Sequence, residues 1–124
     1  MMGLNNILLV LAGGGVGAVL RYVISLSLKN PSTGFPISTF IINVFGCFLI
    51  GILFEVLGTP YNNLKLLLMV GLLGGFTTFS SFGLETIELF NSGHFTTALF
   101  YVLLSNICGL AAVYLGIKIS LLLT

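Results

Sequence analysis

The sequence predicts an all-α integral membrane protein with four membrane-spanning helices. Hydrophobic residues make up 57% of its 124 residues and charged residues only 6%, whereas soluble domains carry about 25% charged residues. The mean hydropathy is +1.20. A spanning helix needs about 20 mainly apolar residues, and four runs are long enough: 4–28, 37–57, 64–90 and 95–122. Residues 1–124 are therefore expected to form a single four-span domain in the cell membrane, embedded in the lipid bilayer.

The charge and the side-chain inventory exclude several classes of function. A net charge of +1 with four Lys and Arg residues provides no basic face, so we expect no nucleic-acid partner. The His, Cys and acidic residues show no metal-ligand spacing, and no Ser/His/Asp constellation is present. We therefore expect no enzyme. Cys47 and Cys108 both fall within apolar runs, where a cysteine usually packs as a small hydrophobic residue.

The first span carries small residues and one arginine. Gly13 and Gly17 are four residues apart, a spacing that lets two helices approach closely in a membrane. Arg21 lies near one end of the span, where its long side chain can reach the interface. It could pair with a carbonyl or a carboxylate, or it could contact a passing anion. The sequence leaves both interpretations open.

The second span follows a turn cluster over 29–36 that contains two prolines. Ser38 or Thr39 is predicted to cap the helix at its start. Asn43 lies inside the span, and its amide has two donors and an acceptor that need partners in an apolar environment. It is expected either to bind a neighbouring helix or to donate into a pore, and the sequence does not decide between them.

The third span contains the most unusual stretch, residues 71–83. Gly74 and Gly75 permit backbone angles that other residues resist, so we expect this helix to be broken near the bilayer midplane. Carbonyl groups released by such a break can coordinate a cation such as Na⁺. The edges of the Phe79 and Phe82 rings are positive and suit a small anion. Hydroxyl groups flank these rings, on Thr77, Thr78, Ser80 and Ser81.

The fourth span adds a polar face to an otherwise apolar helix. Tyr101 and Ser105 are four residues apart and therefore share one face, which predicts a polar track. Asn106 is a second amide side chain within a predicted span, after Asn43. The carboxylates Glu55, Glu85 and Glu88 all lie away from span centres, so the fixed negative charge that a cation carrier would use is absent there.

The distribution of basic residues gives no orientation signal. With four short-looped spans, Lys65 and Lys118 lie toward the side of the termini, and Arg21 and Lys29 lie toward the other side. The positive-inside rule counts these residues, and the difference is 2 − 2 = 0. Insertion in both orientations, and hence an antiparallel dimer of identical subunits, is one interpretation. The alternative is a single orientation fixed by other signals.

Three motifs resemble the Fluc (CrcB) family of fluoride channels over nearly the whole chain. They are residues 13–18 followed by Arg21 and Tyr22, residues 43–46 followed by Gly51, and residues 74–82 followed by Glu85. The third motif is highly specific, whereas the first alone is weak. The family more often has threonine where this chain has Ser81, a change that keeps the hydroxyl group and removes a methyl group.

The resemblance implies a function, an assembly and a set of site residues. It implies a passive, F⁻-selective channel that exports F⁻ from the cytoplasm and so relieves fluoride toxicity. It implies a dual-topology homodimer with two antiparallel pores and a structural Na⁺ at its centre, bound by the backbone carbonyls of Gly74 and Thr77. The expected pore residues are Asn43, Thr78, Phe79, Ser80, Ser81, Phe82, Tyr101 and Ser105, with Arg21 and Glu85 at the pore ends.

Two other functions are compatible with four short spans. A small multidrug exporter has a similar length, but such carriers need a carboxylate in the first span and favour tryptophan. This first span has no acidic residue, and the chain has no Trp. A structural subunit of a larger membrane complex requires fewer assumptions, but it leaves the hydroxyl-rich stretch of the third span without a purpose.

Overall fold

The computed structural model describes residues 3–59 and 62–124, and these residues contain helices and no strand. The helices are α1 (Leu4–Ser27), α2 (Ile37–Leu57), a π-helix (Lys65–Leu73), α3 (Gly74–Phe76), α4 (Phe79–Asn91) and α5 (Phe95–Leu123). The predicted domain 1–124 also includes Met1, Met2, Pro60 and Tyr61, which lie outside the described residues.

Four helical stretches in these ranges are long and apolar enough to cross a membrane: α1, α2, the stretch Lys65–Asn91 and α5. We call Lys65–Asn91 the third span. The bounds of the four stretches lie within one residue of the predicted runs. The prediction of an all-α chain with four potential membrane spans is confirmed.

The helices associate mainly as two pairs. α1 packs along the π-helix and α3, and α2 packs along α5. Ile42, Leu73 and Phe76 form one buried cluster, and Leu89, Ala98 and Tyr101 form a second. Many other large apolar side chains are exposed, which is the arrangement expected when lipid rather than water surrounds the helices.

The start of α2 differs from the prediction of a Ser38 or Thr39 cap. The helix begins at Ile37, and no side chain caps it. The Phe40 N–H already donates to the Pro36 carbonyl oxygen at 3.1 Å, so Ser38 and Thr39 lie inside the first turn. The Thr39 hydroxyl instead donates to Glu85 of α4 at 2.6 Å.

The third span changes its conformation three times along its length. Just before the π-helix, the Asn62 Oδ1 accepts the Lys65 N–H at 3.0 Å. After the short α3, Thr77 (φ −82°, ψ 157°) and Thr78 (φ −148°, ψ 118°) have extended backbone. The Thr78 hydroxyl then accepts the Ser81 N–H at 3.1 Å and caps α4. We call Thr77 and Thr78 the interruption.

Candidate functional site

The interruption is held by one side chain of α2. The Asn43 amide donates from Nδ2 to the Thr78 carbonyl oxygen at 2.9 Å and accepts the Thr78 N–H on Oδ1 at 2.8 Å. Both polar groups of the Thr78 backbone are thus satisfied without a helical partner. Gly46 lies one turn further along α2, and a Cβ atom there would collide with the Thr77 methyl group. α2 therefore fits against the interruption through an amide and a glycine.

The same hydrogen bonds release two carbonyl groups of the third span. In an unbroken helix the Gly74 oxygen would accept the Thr78 N–H, and the Thr77 oxygen would accept the Ser81 N–H. Here the Thr78 N–H donates to Asn43 and the Ser81 N–H donates to the Thr78 hydroxyl. The Gly74 and Thr77 oxygens therefore lose their helical donors, and they are hard, neutral ligands of the kind that unwound membrane helices offer to Na⁺.

Arg21 of α1 contacts Gly75, which lies in the sequence between Gly74 and Thr77. Its Nε donates to the Gly75 carbonyl oxygen at 3.1 Å, which replaces the helical donor that this oxygen would otherwise have. Of the interpretations left open by the sequence, pairing with a carbonyl is therefore the contact that the structure contains. The guanidinium group has further N–H donors in addition to Nε.

A groove of about 340 Å³ opens beside the interruption. Its lining includes Asn43, Thr77, Thr78, Phe79, Phe82, Ser105 and Asn106, together with apolar side chains. The Phe79 and Phe82 ring centroids are 5.6 Å apart, and Phe79 is 84% exposed. The Ser105 hydroxyl is buried and has no hydrogen-bond partner among the described residues. The groove thus combines phenyl rings with an unused hydroxyl donor.

A second cavity of about 390 Å³ is more polar. Arg21 and Glu85 both line it, as do Ser38, Thr39 and Ser81. The Glu85 carboxylate accepts hydrogen bonds from Thr39 at 2.6 Å and from the Tyr101 hydroxyl at 3.2 Å. These contacts join α2, α4 and α5 at Glu85, and Arg21 of α1 lines the same cavity.

The residues predicted for the fourth span point to different partners. Tyr101 is fully buried, and its hydroxyl donates to Glu85. The centroids of the Tyr101 and Phe82 rings are 5.1 Å apart. Ser105 lines the groove instead. Ser80 is exposed, and its hydroxyl is 3.3 Å from that of Thr78. The Phe82 ring, which lines the groove and contacts Tyr101, connects the groove to the Glu85 cluster.

Sequence reasoning missed two features of this site. The role of Thr39 as a partner of Glu85 was not predicted, although Thr39 and Asn43 are four residues apart and so lie on one face of α2. The π-helix was also not predicted, because no residue of its apolar sequence signals that conformation. Within residues 3–59 and 62–124, no group of three or more His, Cys or acidic side chains could hold a metal ion.

The chain matches a known protein family over residues 8–117, described as "CrcB-like protein, Camphor Resistance (CrcB)". A relative from Hydrogenobaculum sp. is 46% identical over 115 residues, which are 90% of this chain and 93% of the relative. One from Phocaeicola vulgatus is 39% identical over 94% of this chain and 99% of its own length. One from Shewanella amazonensis is 47% identical over 91% of this chain and 94% of its own length. Each of these relatives is named "Fluoride-specific ion channel FluC".

These comparisons confirm the resemblance that the three motifs predicted. They also confirm that the protein is not an enzyme, since its relatives are named as ion channels. Together with four helices of spanning length, they identify a multi-pass protein of the cell membrane.

Proposed function

The chain belongs to the CrcB family, and we propose that it is a passive, fluoride-selective channel that releases F⁻ from the cytoplasm. The observation that carries this proposal is the interruption at Thr77 and Thr78, with phenyl rings and a free hydroxyl group in the adjoining groove. The relatives that this chain matches over more than 90% of their length carry the fluoride-channel name. A multidrug exporter and a structural subunit lack comparable support.

The anion path is proposed to run along the groove. The Phe79 and Phe82 ring edges and the Ser105 hydroxyl would replace part of the hydration shell of F⁻ without holding it permanently, as conduction requires. The Asn43 amide has a second N–H beyond the one that binds Thr78, and we assign that N–H to the anion. Thr78 also lines the groove, and Ser81, Arg21 and Glu85 line the polar cavity. We also assign Ser80 and Tyr101 to the path, Tyr101 through its contact with the Phe82 ring.

The channel is proposed to be an antiparallel homodimer. The basic residues are balanced between the two ends of the spans, so the chain can insert in both orientations. Phe79 is 84% exposed beside the groove, which leaves the path open on one side in a single copy. A second copy would close it, and we place the interruption near the bilayer midplane of this dimer.

A structural Na⁺ is proposed at the dimer centre. The residues fit this ion, because the Gly74 and Thr77 carbonyl oxygens have lost their helical donors to Asn43 and to the Thr78 hydroxyl. Hard cations are bound by several oxygen ligands, so the two oxygens of one chain would be joined by the two equivalent oxygens of a second chain. When bound, Na⁺ would offset the negative ends of the carbonyl dipoles beside the anion path.

The direction of flow follows from acid–base chemistry. HF crosses bilayers as a neutral molecule, ionises at cytoplasmic pH and is trapped as F⁻. A passive pore lets F⁻ leave, and a negative interior assists its exit by about 2.3 kcal/mol per charge per 100 mV.

Reconstitution tests this function directly. Purified protein is inserted into vesicles loaded with KF or KCl, valinomycin carries the K⁺ counter-current, and ion-selective electrodes record the efflux of F⁻ and Cl⁻. We expect rapid F⁻ efflux with Cl⁻ efflux at the level of protein-free vesicles. Equal efflux of both anions, or F⁻ efflux at the protein-free level, would overturn the proposal.

Ring substitutions test the assigned anion path. Phe79→Ile and Phe82→Ile keep an apolar side chain but remove the positive ring edge, so we expect F⁻ efflux to fall by about tenfold, equivalent to roughly 1.4 kcal/mol. Phe100→Ile on the exposed surface of α5 is the matched control and should conduct like the wild type. Wild-type efflux in both groove variants would contradict the role of the rings.

A further inference from the structure

One face of α1 lies against backbone oxygens of the π-helix. Gly13 and Gly17 are four residues apart and share this face. A Cβ atom at Gly13 would collide with the Leu67 carbonyl oxygen, and one at Gly17 would collide with the Leu72 carbonyl oxygen. Only glycine allows the two backbones to approach this closely.

The contact continues one turn further at Arg21, again four residues along α1. There the side chain bonds a carbonyl, because Arg21 Nε donates to the Gly75 oxygen at 3.1 Å. The same face of α1 therefore meets three peptide oxygens of the third span in succession. The first two are met by glycines and the last by a hydrogen-bond donor.

The spacing of these oxygens explains the π-helix. Leu67 and Leu72 are five residues apart, whereas the glycines that they meet are four apart. In an α-helix of 3.6 residues per turn, positions five apart diverge by about 140°, so one of the two carbonyls would turn away from α1. A π-helix bonds each residue to the one five positions on and keeps both on one face. The close approach of α1 is therefore compatible with the π conformation and not with a regular α-helix.

The end of the π-helix determines where the released carbonyls lie. The Leu73 oxygen accepts both the Thr77 N–H at 3.0 Å and the Thr77 hydroxyl at 2.9 Å. Gly74 follows Leu73 directly. If the π-helix became an α-helix, Leu73 and the residues tied to it would rotate about the helix axis. The Gly74 and Thr77 oxygens would then move together.

We propose that Gly13, Gly17 and Arg21 are positioning residues for the cation site. They hold the π-helix in register, and the π-helix in turn sets the positions of the Gly74 and Thr77 carbonyl oxygens. None of the three contacts the cation. The inference rests on the proposed function, in that these oxygens are taken to bind Na⁺.

The test measures Na⁺ binding through stability rather than through transport. Wild type and Gly17→Ala are purified into lipid nanodiscs, and thermal unfolding is followed by far-UV circular dichroism while NaCl replaces choline chloride. A ligand that binds the folded protein raises the unfolding temperature as its concentration rises. We expect Gly17→Ala to need about tenfold more Na⁺ for half of this rise, a loss typical of residues that support metal ligands. Gly15→Ala is the matched control, because a Cβ atom there meets no atom within 4 Å.

A second variant keeps the test decisive if Gly17→Ala does not fold. Arg21→Met removes the hydrogen bond to Gly75 without placing an atom between the two backbones, and it should raise the half-maximal Na⁺ concentration in the same direction. Unchanged values in the folded variants would overturn the inference, even where F⁻ efflux falls. Wild-type F⁻ efflux without any Na⁺-dependent rise would overturn the inference and the cation assignment but leave the channel intact. A wild type without F⁻ efflux refutes the proposed function itself.

Discussion

Two pairs of helices in this chain approach closely through glycine, and only one of the pairs contains a distorted helix. In the α2 and α5 pair, a Cβ atom at Gly51 would collide with the Val113 oxygen, and one at Gly116 would collide with the Phe48 oxygen. Both helices are nevertheless regular over their full lengths. In the α1 and third-span pair, the glycines of α1 face a π-helix of nine residues.

The difference between the pairs lies in the number and spacing of the contacted oxygens. In the regular pair each helix presents one such oxygen, that of Phe48 in α2 and that of Val113 in α5. The π-helix presents two to the same face of α1, those of Leu67 and Leu72, which are five residues apart. Close glycine packing therefore does not by itself distort a helix. The distortion occurs in the helix that leads directly to the interruption, as π-helical segments often do near functional sites.

The largest expected effect comes from disrupting the regular pair. Gly116→Leu would force a side chain against the backbone of Phe48 and Ile52, and overpacking of this kind costs about 3 kcal/mol. We expect the free energy of unfolding in mixed micelles to fall by about that amount. The Na⁺ concentration for half-maximal stabilisation of the remaining folded protein should stay at the wild-type value, because α5 packs against α2 and α4 rather than along the π-helix.

The control for this prediction is Gly15→Leu, which adds the same side chain to an exposed position of α1 where no atom lies within 4 Å. It should change the free energy of unfolding by less than about 0.5 kcal/mol. If Gly116→Leu raised the half-maximal Na⁺ concentration as much as Gly17→Ala does, the two glycine interfaces would have the same role. The comparison between them would then fail.

The overall fold could be predicted from the sequence because its signals are long and redundant. Each span is an apolar run of over 20 residues, and single residues do not alter such a pattern. The cap of α2 was predicted wrongly because Pro36 already leads the chain into the helix and leaves Thr39 free to bond Glu85. The π-helix could not be predicted, since its register depends on where the glycines of α1 meet it.

The candidate site could be predicted only as a list of residues. Residues 74–82 have an unusual composition, and their glycine and hydroxyl residues indicated the stretch in which the candidate site lies. The sequence could not assign partners, because Asn43, Arg21 and Glu85 each meet a residue at least 16 positions away. Such contacts depend on how the helices pack, so the sequence could not show that Asn43 binds the third span.

A smaller effect is expected from replacing the amide side chains of Asn43 in α2 and Asn106 in α5, and it tests how the regular pair of helices supports the irregular pair. Asn43→Ala leaves the Thr78 N–H and carbonyl group without their partners, and we expect a loss of about 2 kcal/mol in the free energy of unfolding. Asn106→Ala is the matched control, because that exposed amide donates to the Val102 carbonyl of its own helix. This substitution should cost less than about 0.5 kcal/mol. Equal losses in the two variants would mean that Asn43 does not hold the interruption. A loss confined to Asn43→Ala, measured by the same micelle titration, would mean that the irregular pair depends on one side chain of the regular pair.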